Sequence, residues 1–300
     1  MSSILHTAVV FEWDQVFCVE LEFRNNKYSL NSFGTYTSQI NTDKIELLLN
    51  NQEPKKIIIT ELSQFLAKNK FKSKNISFGL NSAMMFVETL PFDISLTKEE
   101  KIEHVTWELY QHFYHDKSVS YESDVFYVQE NKNQAFEETI SVSIRQDLIW
   151  FFNDVAVGCG KELNIINVDH FGAEQSVLHN YPEDILNPFL IINCDEETTD
   201  FTIMQNGSPV FTITLNNSDE IILKINEQIL KYKLSKIFLH GRALNPQFHE
   251  LLVSKSQIPV QLIDPFKKIE IPKSFAKQIE QIEVRQKFTS AIGLALRIDK

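Results

Sequence analysis

The stretch from Pro188 to Leu215, PFLIINCDEETTDFTIMQNGSPVFTITL, constrains the fold more than any other part of the chain. Phe189 to Ile192 form a continuous apolar run, the mark of a strand covered on both faces. Asn193 to Thr199 is polar and reads as a loop open to a ligand. Phe201 and Ile203 then alternate with polar residues, Asn206-Gly207 interrupts, and Val210, Phe211 and Ile213 resume. An Asn-Gly dipeptide between two alternating runs predicts a two-residue hairpin, because both residues tolerate positive φ.

The rest of the chain supplies similar signals. Residues 8–11, 16–23 and 28–33 alternate or run apolar, turning at Glu12-Trp13-Asp14-Gln15 and Asn25-Asn26-Lys27, which predicts a three-stranded meander. A helix is expected over 41–50, a buried strand over 56–59 and a short helix over 61–68. Strands are expected over 76–80 and 84–90. Thr97-x-x-Glu100 reads as a capping box opening a helix to about His115, with two strands following at 121–130 and 137–144. Residues 147–159 read as a helix closed by Gly160, 163–168 as a strand and 170–180 as a helix. Ser218 is expected to cap a helix to about Lys233. Residues 236–239 read as a buried strand and 248–253 as a helix, and Ala291, Gly293 and Ala295 suit close packing of the last helix. No internal sequence repeat is readable.

In their order these runs resemble the actin-like ATPases, and most of all the pilus-assembly proteins of the PilM type, relatives of FtsA. The likeness is specific from Phe189 to Arg297. There the central hairpin, His240-Gly241-Arg242, Ile258-Pro259-Val260, Ile263-Asp264-Pro265-Phe266 and the closing AIGLALR follow in the family's order. It is loose from Met1 to Ile166. The resemblance implies an α/β, two-lobed actin-like ATPase (ribonuclease H-like) fold with a small α+β insert at about 90–145. The first lobe would cover 1–185 and the second 186–300.

The resemblance also implies an ATP cleft built from two phosphate loops and an adenosine loop. The nucleotide-binding positions are then Asp14 and Gln15 in the first, Asp195, Thr198 and Thr199 in the second, and Gly241 and Arg242 in the third. Each loop departs from the family pattern. The first is Asp-x-Gly-Ser-Ser in the family and has no glycine here. The second is Asp-x-Gly followed by Thr-Thr and here carries Asn193 and Asp195. The third is Gly-Gly-x and here has Arg242 for its second glycine. An Asp side chain where backbone N–H groups should face phosphate adds repulsion. Phosphoryl transfer depends chiefly on positioning and charge neutralisation, which these losses remove. The expectation is a pseudo-ATPase: a non-catalytic binding or assembly platform with no catalytic residues and no ATP or Mg²⁺. Its partner would be a protein, in the PilM type a short peptide of a membrane assembly protein. The alternative is an ATP-binding actin-like ATPase or a sugar-kinase-like enzyme, with Asp14 as the carboxylate that could hold Mg²⁺. A further one is a bacterial family of this fold acting outside pili.

Composition narrows the partners. A net charge of −11 speaks against nucleic acid and anionic membrane surfaces. No apolar run approaches a membrane span, so no membrane insertion is expected, and the opening MSSILHTAVVFEWD lacks the pattern of a signal peptide. Cys18, Cys159 and Cys194 are far apart and odd in number, which suits a reducing, cytoplasmic location. No His–Asp arrangement would activate Cys159. Only 8 glycines argue against several phosphate-cradling loops. His104, Glu108, His112 and His115 share one helix face, but a polar face ordinarily meets water and no metal is expected there. Lys68, Lys70, Lys72 and Lys74 alternate; a solvated loop is the plainer reading than a phosphate or lipid site.

Overall fold

A computed structural model describes residues 3–42, 44, 48–49, 51–112, 119–127, 135–218 and 220–298, with the side chains of 112, 127 and 282–284 outside that description. The chain opens with β1 (Ile4–Glu12), β2 (Gln15–Arg24) and β3 (Lys27–Thr37), followed by α1 (Glu53–Lys68) and β4 (Asn75–Leu80). A small subdomain contains β5 (Phe86–Asp93), α2 (Lys98–His112), β6 (Tyr121–Tyr127) and β7 (Phe136–Arg145). Then come α3 (Gln146–Gly158), β8 (Glu162–Val168), α4 (Asp169–Asn180), β9 (Phe189–Cys194), β10 (Thr198–Gln205), β11 (Ser208–Asn216) and α5 (Ile221–Tyr232). The chain ends through β12 (Lys236–His240), α6 (Pro246–Lys255), β13 (Val260–Leu262), α7 (Lys273–Ile279), α8 (Ile282–Lys287) and α9 (Thr289–Ala295).

The strands build two five-stranded sheets of one design, β3-β2-β1-β4-β8 and β11-β10-β9-β12-β13. In each, three antiparallel strands joined by hairpins lie beside two parallel crossover strands. A duplication invisible in the sequence is therefore plain in the topology. The small subdomain forms a third sheet, β5-β7-β6. This is the expected two-lobed α/β plan with an insert. The β10–β11 hairpin turns at Asn206 and Gly207, with φ of 52° and 79°, as the dipeptide predicts.

Phenylalanines fill the layers. Phe11, Phe78 and Phe152 meet between the first sheet and α3, with ring centroids 5.3 to 5.8 Å apart. On the other face of that sheet, Phe17, Phe33, Phe266 and Phe288 pack together. The chain from Phe266 to Leu296 thus leaves the second sheet and covers the first, so the sheets rather than the chain's halves define the lobes. Helix α9 lies so close to α4 that a Cβ on Gly293 would overlap the Gly172 carbonyl oxygen.

Several expectations need correction. Residues 56–59 are not a strand: they continue into one helix, α1, entered through Pro54, with Ile58, Leu62 and Leu66 buried four residues apart. The β-branched triplet Ile57–Ile59 imitates a strand locally, but burial at helical spacing decides the outcome. Ser218 does not cap α5 with its side chain; the Ile221 N–H donates to the Ser218 carbonyl at 3.2 Å, and Glu220 is the N-cap residue. The capping box at α2 forms as expected. The Thr97 N–H donates to Glu100 Oε2 at 2.8 Å, and the Glu100 N–H donates to Thr97 Oγ1 at 3.2 Å. Part of the helix expected over 41–50 lies outside the described residues.

Candidate functional site

Topology brings the three expected loops together. β9 and β12 run parallel with His240 opposite Asn193, so the loops after both strands leave the same edge of the second sheet. Gly241 permits their close approach: its φ is 118°, and a Cβ there would run into the Cys194 backbone. The Ala243 N–H donates to the Cys194 carbonyl at 3.0 Å. From the first lobe, the β1–β2 turn faces this edge, with Trp13 held at φ 59°.

Arg242 lies across the resulting cleft. Its Nη2 stands 3.4 Å from Asp195 Oδ1 and 3.2 Å from Glu196 Oε1, its Nη1 is 4.0 Å from Asp14 Oδ1, and its guanidinium carbon sits 5.6 Å from the centre of the Trp13 ring. Two groups of the first lobe reach Asp195 directly: Trp13 Nε1 donates to Oδ2 at 3.3 Å and Asn81 Nδ2 at 3.0 Å. Asp195 is buried, so this convergence of donors satisfies a carboxylate that would otherwise be costly to desolvate.

The remaining expected residues fall around this latch. Asp14 is 51% exposed and touches the latch only at its edge. Gln15 turns away, its Nε2 donating to Thr37 Oγ1 at 2.8 Å. The Thr198 carbonyl accepts from the Asp195 N–H at 3.0 Å. Thr199 braces the loop, its hydroxyl donating to Asn217 Oδ1 at 2.6 Å, while Asn217 Nδ2 donates to the carbonyls of Asp195 and Glu196. Sequence reasoning missed Trp13, Asn81 and Glu196. Their only signal is position, in or beside segments that end at the cleft.

Below the latch lies a buried polar floor that sequence reasoning also missed. Asp200 Oδ1 accepts from Ser82 Oγ at 2.9 Å and Thr214 Oγ1 at 2.7 Å, and its Oδ2 accepts from Asn193 Nδ2 at 3.0 Å. Asp169 and His170, the first residues of α4, stand beside it. Burial, with Asp200 and Glu12 nearby, pushes the Asp169 carboxyl well above its ordinary range. Burial holds the His170 imidazole below its ordinary value and, with His170 adjacent, pushes His240 down to about 3.

Other candidates have no comparable setting. His104 Nε2 is 3.5 Å from Glu108 Oε1 on an exposed face, and His115 lies outside the described residues. Lys68, Lys70, Lys72 and Lys74 are all exposed. Burial raises the Cys159 thiol and pushes Cys194 up to about 12, so neither favours a thiolate. No helix among the described residues is long and apolar enough to cross a membrane.

Four cavities border these elements, one of them, of about 160 Å³, lined by Cys194, Asp195, Thr199, Ala243 and Phe248 of the second lobe. One of about 370 Å³ lies between β5 and β11, one of about 230 Å³ between β6 and β8, and one of about 220 Å³ beside Arg242, lined by Leu244, Asn245, His249 and Leu262.

No protein-family model and no curated protein matches this sequence. Solved structures do match. A chain of the PilM-PilN type IV pilus biogenesis complex aligns with a TM-score of 0.76 at 14% identity, covering 98% of this chain and 98% of that one. A Bacteroides thetaiotaomicron protein with actin-like ATPase fold aligns at 0.52 and 10% identity, over 92% of this chain and 95% of that one. The ethanolamine utilization protein EutJ from Carboxydothermus hydrogenoformans aligns at 0.50 and 8% identity, over 99% and 90%. The duplicated sheets, the cleft between them and these alignments together show a two-lobed protein of the actin-like ATPase fold, similar in outline to PilM.

Proposed function

We propose that this protein is a non-catalytic docking platform: an actin-like body whose cleft is held by its own side chains and whose outer surface binds a protein partner. The observation that carries this is Arg242, paired with Asp195 and Glu196 and stacked on Trp13 where the three loops meet. A nucleotide entering there would displace a desolvated ion pair and find no glycine in the β1–β2 turn to cradle phosphate. The space at these loops is divided into a cavity of about 220 Å³ beside Arg242 and one of about 160 Å³ against Asp195 and Thr199, each smaller than the roughly 300–1,000 Å³ of an ordinary small-molecule site.

The partner follows from the likeness to a chain of the PilM-PilN type IV pilus biogenesis complex. We assign a partner of the same kind, a peptide segment of a membrane assembly protein, met on the cytoplasmic side. The groove between β6 and β8 suits an extended segment. Both are outer strands of their sheets, and Phe126, Val142, Ile144, Ile166 and Phe171 line the space between them. Outer strands offer backbone groups to an added strand, while alternate side chains find the apolar lining.

Thermal unfolding with and without millimolar Mg-ATP tests the cleft. The expected shift is within error. A micromolar site at that concentration would raise Tm by roughly 5 °C or more. A rise that requires Mg²⁺ and vanishes in Thr198→Ala would replace the platform with the ATP-binding alternative.

A further inference from the structure

We infer that Asp169, His170 and Asp200 form a site for one divalent first-row metal ion, bound without nucleotide, that ties the second lobe's hairpin to the start of α4. The three side chains present one donor atom each within 4.8 Å of one another, and all three residues are buried at 2%, 2% and 3% exposure. His170 Nδ1 has no hydrogen-bond partner and points at both carboxylates, 3.8 Å from Asp169 Oδ1 and 3.9 Å from Asp200 Oδ2. Those separations are too long for hydrogen bonds, which argues against an imidazolium donating to either acid. Both fall within the roughly 3–4.2 Å expected between donor atoms of one ion held at about 2.0–2.2 Å from each, and the two carboxylates, within 4.8 Å of each other, would close on the ion from either side of the ring.

The surroundings are arranged as they are around metal ligands. His170 Nε2 lies 3.3 Å from Thr212 Oγ1, which fixes the ring and leaves Nδ1 for the ion. Asp200 is oriented by Ser82, Thr214 and Asn193, and Asp169 Oδ1 accepts from the His170 N–H at 2.6 Å. A 2+ ion would neutralise the two buried carboxylates that hold it. One imidazole with two carboxylates suits Zn²⁺, Mn²⁺ or Co²⁺. Ser82, Thr212 and Thr214 also line the 370 Å³ cavity between β5 and β11, which supplies a path for entry that avoids the Arg242 latch. This inference is independent of the proposed function, because it needs neither nucleotide nor partner.

The experiment uses the untagged full chain, stripped with chelator and equilibrated with Co²⁺ or Zn²⁺ alone, with bound metal measured by elemental analysis. One equivalent per chain is expected, with visible Co²⁺ absorption bands. Asp200→Asn and His170→Gln should each lower affinity about tenfold or more, whereas His104→Ala should leave it unchanged. Asp200→Asn preserves side-chain shape, and circular dichroism confirms that it folds. If a variant unfolds, the wild-type stoichiometry and Co²⁺ spectrum decide. No binding by the wild type at 100 µM metal would overturn the assignment. So would binding that survives both substitutions in folded protein, or that appears only when ATP is added.

Discussion

The two lobes meet at two joints of opposite chemistry. At the back, α4 and α9 cross at Gly172 and Gly293 with backbone nearly against backbone; α4 also packs Ala173 and Val177 on the second sheet, and α9 packs Ala291 and Leu294 on the first. At the mouth, Arg242, Asp195, Glu196, Trp13 and Asn81 join the lobes through charge and hydrogen bonds. Close packing has no intermediate state, whereas a polar contact can be exchanged for water. The back joint therefore behaves as part of the core, and the mouth as a latch that sets whether the cleft is open.

The largest effect expected is at the back. Gly293→Val forces a side chain into the Gly172 backbone and should cost at least about 3 kcal/mol in urea unfolding, or prevent folding. A loss below about 1 kcal/mol would break the contrast between the joints. Asp195→Ala should cost about 1.5–3 kcal/mol, because Arg242, Trp13 and Asn81 all lose an acceptor in a largely buried place. Arg242→Ala should cost about 1–2 kcal/mol, because the buried Asp195 keeps, among the described residues, only Trp13 and Asn81 as side-chain donors; the part of that cost due to the exposed Glu196 and Asp14 should shrink in 1 M salt, while the Gly293→Val cost does not. Equal salt dependence of the two variants would erase the distinction.

The back joint should instead respond to alkali. Burial pushes the Glu174 carboxyl of α4 from 4.5 up to about 8, although Arg297 opposes this. A raised folded-state pKa means that the folded chain holds a proton the unfolded chain has released. The contribution is fully present below about pH 4.5 and is lost as pH rises through about 8. Glu174→Gln should flatten that fall in a series of melts from pH 5 to 9, and an unchanged slope would remove Glu174 from the account. The smallest effect on stability concerns the partner groove. Phe126, 45% exposed on β6, should tolerate Phe126→Asp within about 0.5 kcal/mol. The same change should abolish retention of the partner that the wild type holds, and retained binding would move the partner elsewhere.

Much of the fold was legible because its signals are local. Asn25-Asn26 and Asn206-Gly207 mark turns through their tolerance of positive φ, and Thr97 with Glu100 marks a helix start through two reciprocal bonds. The buried runs at Phe189–Cys194 and Lys236–His240 became inner strands of the second sheet. Failures came where a distant partner outweighed a local preference. Ile57–Ile59 favours a strand by residue type, yet Ile58 joins Leu62 and Leu66 under the first sheet as part of a helix. The site was legible only as three loops. Asp195 read alone is a charge that repels phosphate, and its pairing with Arg242, Trp13 and Asn81 has no local sign.

The sequence by itself determined the order of elements, the turns and the order of loops around a cleft, because each depends on backbone conformation or on burial of a short run. Tertiary structure alone decided the duplication of the two sheets, the return of the C-terminal helices to the first lobe and the crossing of Gly293 with Gly172. It also decided which charges meet. Asp195 is 114 residues from Asn81 and 182 from Trp13, and at such separations only the packed sheets bring donor and acceptor within bonding distance. Electrostatic roles depend on distance and burial, and neither is a property of the residue type.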